Sequence, residues 1–325
     1  MTRRSVARAP AKAILLGEHF VVSGTRAVSA SLGLYAYAEA EELKLWPSEI
    51  VSIELGLRVT IPGPDLSYSG PAELQPIAAV LRALRARDFD IPAFRLTIRS
   101  EIPDGAGLGS SAAASAAAAL ALAGLVGSDM SRDELFMVTM EGERVAHGNP
   151  SGVDPVTVVN GGVILFRKGD GVIDRHERLE GVSLVVADSG IRRSTMGPVS
   201  SVLSLLERLG SVKRHLLSAV DEIVGAAWES IRVRSFERLG MLMNINHGLL
   251  SAIGVSTPEL EEIVYAARRA GALGAKLTGA GLGGSVIALA PFGSEGAVQE
   301  AMGRRARWAT ALYAGVQGAS LISEA

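Results

Sequence analysis

Residues Pro103-Asp104-Gly105-Ala106-Gly107-Leu108-Gly109-Ser110-Ser111 run straight into an alanine-rich stretch, Ala112 to Leu125, and this junction constrains the chain more than any other segment. The glycines make a loop and the alanines make a helix, so the sequence predicts a glycine-rich turn opening a helix. Such a turn lets the backbone approach a ligand and aims its N–H groups at it. The helix dipole adds positive potential, which makes polyphosphate the natural guest. A side chain at Gly109 would then fall where the phosphate lies, and Ser110 and Ser111 offer hydroxyls to a phosphate or a magnesium ion. The plainer alternative is that Ser110 or Ser111 caps the helix and does nothing else. Neither common nucleotide fingerprint is met: there is no G-x-x-x-x-G-K-[ST], and G-A-G-L-G-S has Ser at the third glycine position of the dinucleotide motif. Phosphate chemistry here needs another scaffold.

With 325 residues and 48% hydrophobic content, the chain is long enough for two cores. A net charge of -2 provides no basic surface for nucleic acid and favours a neutral or small anionic ligand held by a few local charges. There is no cysteine, which excludes disulfides and thiol nucleophiles and fits a reducing compartment. The basic start, Met1 to Ala11, leads into Ala13-Ile14-Leu15-Leu16, too short for a secretory segment and closed by Gly17-Glu18-His19. Gly105 to Ser128 is uncharged but too rich in alanine and glycine to span a membrane. A cytoplasmic protein is the expectation.

Alternation predicts strands at Val28 to Glu41, Ile50 to Ile61 and Phe94 to Ile102, with a helix between the last two over Pro71 to Arg87. Ser131, with Asp133 and Glu134 behind it, starts a helix running to about His147. Further strands are expected at Val156 to Phe166 and Ser183 to Ala187, separated by Gly169-Asp170-Gly171. Helices follow from Val199 to about Leu250 and from the cap Thr257-Pro258 to near Gly271, then short strands at Ala275 to Leu277, Val286 to Ala290 and Thr310 to Val316. Without a steady βαβ alternation the class is α+β, and a boundary near Gly181 divides the chain into residues 1–181 and 182–325.

Four segments combine polar residues with glycine: Ala9-Pro10-Ala11-Lys12-Ala13-Ile14-Leu15-Leu16-Gly17-Glu18-His19, the loop at 103–111, Glu141 to Asp154 (E-G-E-R-V-A-H-G-N-P-S-G-V-D), and Lys276 to Ser285 (K-L-T-G-A-G-L-G-G-S). Together they resemble the three motifs of the GHMP kinases. Within that superfamily the Glu141 to Asp154 run, Arg193-Ser194-Thr195 and Ala252 to Leu260 are similar to segments of the mevalonate kinases. There are departures: Ala11 stands where many members have Gly, Leu282 interrupts the glycine run of the third motif, and Ser285 replaces a frequent Cys.

The resemblance implies a two-domain fold, an α+β N-terminal domain and a ferredoxin-like C-terminal domain with the active site between them. It implies transfer of phosphate from ATP to the 5-hydroxyl of mevalonate, with phosphomevalonate or homoserine as alternative acceptors and a non-catalytic nucleotide-binding protein as the rival outside catalysis. Asp154, which by itself could simply start a turn, would accept the hydroxyl proton, and Lys12 would stabilise charge on the reacting oxygens. Gly105, Ala106, Gly107, Leu108, Gly109, Ser110 and Ser111 would bind nucleotide. Ser111 and Glu143 would hold Mg²⁺; the E-x-x-x-H of Glu143 and His147 lacks the partners of a zinc site. Glu18, His19, Arg193 and Thr195 would line the acceptor pocket, with Arg192 competing for the carboxylate and a homodimer expected at family level.

Overall fold

The computed structural model describes residues 3–192 and 196–324. Along the chain run β1 (Arg4–Leu16), β2 (Arg26–Glu42), β3 (Ser48–Ser52), β4 (Leu57–Ile61), α1 (Gln75–Arg85), β5 (Phe94–Ser100), α2 (Ser110–Leu125), α3 (Arg132–His147), α4 (Val153–Asn160), β6 (Val163–Arg167) and β7 (Gly171–His176). Then come β8 (Val182–Asp188), α5 (Met196–Arg208), α6 (Ser211–Arg232), α7 (Phe236–Ala252), α8 (Pro258–Arg269), β9 (Gly274–Leu277), β10 (Ser285–Pro291), α9 (Glu295–Gly303), β11 (Trp308–Leu312) and β12 (Ser320–Glu324).

These strands form two sheets. The larger has the order β12-β1-β2-β5-β3-β4, and β6 joins β2 and carries β7. Strand β2 is long enough to serve two partners, pairing β6 through Arg26–Ala30 and β5 through Ala36–Glu42, while β1 lies along its other edge. The smaller sheet, β11-β8-β10-β9, is antiparallel throughout. All seven residues of β8 are buried, as in a strand covered on both faces. The last strand, β12, returns to the larger sheet and pairs with β1 from Ser5↔Glu324 to Arg8↔Ser320.

Helix α2 lies under β1 and β2 with 12 of its 16 residues buried, which explains its composition: alanine lets a helix sit close to a sheet from every side. Gly142 does the same for α3, because a Cβ there would stand 2.5 Å from Ser115 Oγ on α2. This close approach seats Glu143 against the start of α2. The helix itself begins as predicted, with a reciprocal cap in which Ser131 Oγ accepts from Glu134 N and Glu134 Oε2 accepts from Ser131 N. Among the described residues no helix is long and apolar enough to cross a membrane.

Two predicted strands are corrected. Ile50 to Ile61 is a hairpin, not one strand: the chain turns at Gly56 (φ 63°), leaving Ile53 and Leu55 exposed at its tip. Val156 to Phe166 is not continuous either, since residues 153–160 form α4 before β6 begins. Its valines favour a strand by propensity, but Val153, Val156, Val158 and Val159 are all buried and packing decides the outcome. Pro155 is tolerated because it falls in the first turn, where no intrahelical donor is needed. Strands β7 and β12 and helix α9 were not anticipated.

Candidate active site

The predicted loop is present and left-handed at all three glycines, with φ 71° at Gly105 and 76° at Gly107 and Gly109. Gly109 is the N-cap of α2, and neither Ser110 nor Ser111 caps the helix with its side chain. The capping alternative is thereby removed. Instead Ser111 Oγ is buried without a hydrogen-bond partner among the described residues. The far side of the loop rests on the Lys276–Ser285 segment: Ser285 Oγ donates to Ala106 O at 2.8 Å, and a Cβ at Gly279 would lie 3.5 Å from Gly107 O.

Gly109 is glycine for a reason the sequence did not show. A Cβ there would stand 2.9 Å from Lys12 Cγ and 3.0 Å from Lys12 Cε, so the space it leaves open belongs to the lysine stem. Strand β1 brings Lys12 under the loop, where its backbone N–H donates to Leu108 O at 2.9 Å and its Nζ to Gly107 O at 3.1 Å. The same Nζ lies 2.9 Å from Asp154 Oδ2. Asp154 projects from the first turn of α4, which Gly152 opens with φ 93°, and its side chain keeps 26% exposure against 3% for Lys12. A buried cation thus faces a carboxylate that solvent, or a substrate, can reach.

Glu143 completes the group. It is 2% exposed, its Oε1 has no hydrogen-bond partner among the described residues, and His147 Nε2 lies 3.6 Å from its Oε2. Burial, reinforced by the negative charge of Asp154, pushes its carboxyl up to about 8, while Ser111 and Lys12 act in the opposite direction. Burial holds His147 below its usual value. Two orphaned buried oxygens, Ser111 Oγ and Glu143 Oε1, are what a hard cation would satisfy. No three His, Asp or Glu side chains cluster as a metal site among the described residues, so such a cation would need further oxygens from a phosphate ligand.

The corner after β1 holds Glu18 and His19, the residues expected on the acceptor side. His19 Nε2 lies 3.0 Å from Ala280 O, its Nδ1 is buried and unpartnered, and burial drives the imidazole down to about 4, so it is neutral near pH 7. Glu18, expected to line the pocket, is instead fully enclosed: one oxygen pairs with Lys276 Nζ and the other accepts from Asn246 Nδ2 at 3.3 Å. Burial raises the Glu18 carboxyl and lowers the Lys276 ammonium. Sequence reasoning placed Lys276 in the fourth segment without giving it a role, and it missed Asn246. The available signal was a lysine within a short apolar strand, in a chain with only five lysines. Arg193 and Thr195 lie outside the described residues; Arg192 is exposed and pairs with Asp104 at 3.0 Å.

The sequence profile of the GHMP kinases N terminal domain matches residues 76–162, and that of the GHMP kinases C terminal domain matches residues 227–307. The chain is 42% identical over 292 residues to the mevalonate kinase of Aeropyrum pernix, an alignment covering 89% of each chain. The chain belongs to the mevalonate kinase family. The mevalonate kinase of Pyrococcus furiosus is 38% identical over 300 residues, covering 88% of this chain and 89% of that one. The structure of L. major mevalonate kinase in complex with R-mevalonate superposes with a TM-score of 0.81 at 29% identity, covering 96% of both chains. Within this mevalonate kinase fold the three departures are accommodated locally. Ala11 is buried in β1, Ser285 bonds the phosphate loop, and Leu282 takes the left-handed φ of 57° while its N–H donates to Val255 O at 2.7 Å.

Proposed function

We propose that this protein transfers the γ-phosphoryl group of ATP to the 5-hydroxyl of mevalonate. The observation that carries the chemistry is the Lys12–Asp154 pair, 2.9 Å apart and joined through Lys12 Nζ to the carbonyl of Gly107. The left-handed loop and the N-terminus of α2 receive the phosphates. Asp154, the exposed member of the pair, accepts the proton of the attacking hydroxyl, and Lys12 stabilises the charge that develops on the reacting oxygens. His19, neutral and with a vacant Nδ1, accepts a hydrogen bond from the acceptor. Ser111 and Glu143 would hold Mg²⁺, which when bound neutralises phosphate charge. Transfer is direct and in line.

Support for mevalonate comes from the relatives, which are mevalonate kinases, rather than from any one contact. The division at Gly181 belongs to the same reading: the smaller sheet begins with β8 at Val182, while β12 returns from the second part to the larger sheet. An ADP-release assay with mevalonate, phosphomevalonate and homoserine tests the assignment. Mevalonate is expected to give the highest kcat/KM; a higher value for either rival overturns the acceptor while leaving the kinase chemistry standing.

A further inference from the structure

Among the described residues the ion pair between Glu18 and Lys276 is the most enclosed, with side-chain exposures of 1% and 0%. Burying two charges costs several kcal/mol each in solvation, and apolar side chains of similar volume often stabilise such a site equally well or better. Stability alone therefore does not account for the pair. Its surroundings do. Phe20 N donates to Glu18 O at 2.7 Å across a single residue, closing a γ-turn whose centre, His19, has φ 62° and ψ -48°. This positive-φ turn is strained for any side-chain-bearing residue and persists only where neighbours over-determine it.

Those neighbours come from α7 and from β9 with the loop behind it. Asn246 on α7 accepts from Gly17 N at 3.4 Å and donates to Glu18, Lys276 on β9 grips the other Glu18 oxygen, and Ala280 O meets the imidazole. Thr278 Oγ1 adds two bonds to the preceding strand, accepting from Ile14 N at 3.1 Å and donating to Ile14 O at 3.0 Å. Lys276 Nζ also donates to Leu277 O at 2.7 Å, which ties it to its own strand. The same segment then reaches the phosphate loop through Gly279 and Ser285.

We propose that Lys276 is a positioning residue for the acceptor substrate: through Glu18 it holds the strained corner at His19 in register with the phosphate loop. The inference rests on the reading of His19 as part of the acceptor pocket. It predicts a specific split in kinetics. Lys276→Met strands the Glu18 carboxylate, relaxes the corner and raises KM for the acceptor by ~10-fold or more, with KM for ATP within about threefold of the parent.

Because Lys276→Met also leaves an unpaired buried charge, its melting midpoint will fall, and a second variant separates the two effects. Glu18→Gln/Lys276→Met removes both charges; the midpoint recovers while the raised acceptor KM remains. Recovery of acceptor KM together with stability would reduce the pair to a structural role and overturn the proposal, as would a parallel rise in both KM values. A readout independent of turnover is the His19 imidazole in nitrogen-resolved NMR, assigned with His19→Gln. Its resonances shift in Lys276→Met and in the double variant if the corner relaxes, and unchanged resonances refute the coupling. If the parent protein prefers another acceptor, mevalonate specificity fails by itself, and the same split is read with that acceptor.

Discussion

Gly109→Ala is the sharpest probe of the site because the structure states what the added methyl would meet. It would stand 2.9 Å from Lys12 Cγ, 3.0 Å from Cε and 3.5 Å from Cδ, against an ordinary carbon–carbon separation of about 3.5–4.0 Å. Lys12 is 3% exposed, so its stem has little room to step aside. Alanine at φ 76° adds about 1–2 kcal/mol of left-handed strain. Overpacking adds about 1–3 kcal/mol, for a total destabilisation of about 2–5 kcal/mol. Against a typical stability of about 5–15 kcal/mol, all but the least stable domains remain folded under that load, and the melting curve reads this directly. The displaced lysine is the larger effect: an ångström of misplacement at a reacting centre costs ~100-fold in rate. Turnover is therefore expected to fall ~100-fold while ATP affinity changes only a few-fold, read by ADP release, titration calorimetry and a melting curve on one preparation. Loss of ATP binding with turnover preserved at saturation would refute the reasoning, since it would mean that the methyl occupies phosphate space rather than the path of Lys12.

Asp154→Asn keeps the shape of the site but cannot accept a proton, so kcat is expected to drop ~100-fold or more with both affinities within a few-fold; near-parental turnover in folded protein excludes the role. Glu143 has a folded pKa of about 8 against an ordinary 4.5, so between those values the native state retains a proton that the unfolded chain has lost. Its effect on stability is most favourable below the unfolded value and declines as pH rises from 4.5 to about 8. Glu143→Gln should flatten that decline in melting experiments without Mg²⁺ or nucleotide, and an unchanged slope would locate the titration elsewhere. Leu282→Gly relieves the left-handed strain of a leucine at φ 57° and is expected to gain up to ~1 kcal/mol in denaturant unfolding, whereas a clear loss would show that the leucine side chain contributes packing that outweighs the strain.

The grouping of the candidate residues was legible in part because its segments combine glycine with polar residues. The glycine-rich loop stands out in sequence by composition, while Lys12, Glu143 and Asp154 were singled out through the resemblance to the GHMP kinases, and the structure brings these three side chains together near the start of α2. The fold was legible where a local signal controls the outcome, as at the Ser131 capping box and the Thr257 cap. It was misread where tertiary packing overrules propensity, as in the valine-rich α4, and where a turn interrupts regular alternation, as at Gly56. The role of Lys276 was hidden for a different reason. Its partner Glu18 lies 258 residues away, and a charge buried by so distant a contact leaves no periodic trace. Gly109 likewise serves Lys12, a residue no local pattern links to it.

The pairing of β12 with β1 has a consequence for how the protein is made. Strand β1 carries Lys12 and leads into the Glu18–His19 corner, yet one of its edges is closed by residues 320–324, which are synthesised after every strand of the smaller sheet. During synthesis the larger sheet therefore waits with an open edge through the whole of the smaller one, and an unpaired edge invites association between nascent chains. On this edge the ladder is itself irregular: its register shifts between Val6 and Ala7, which interrupts the flat pairing that such association needs. Folding of the strand that carries Lys12 is in this sense a closing event, completed when β12 reaches β1.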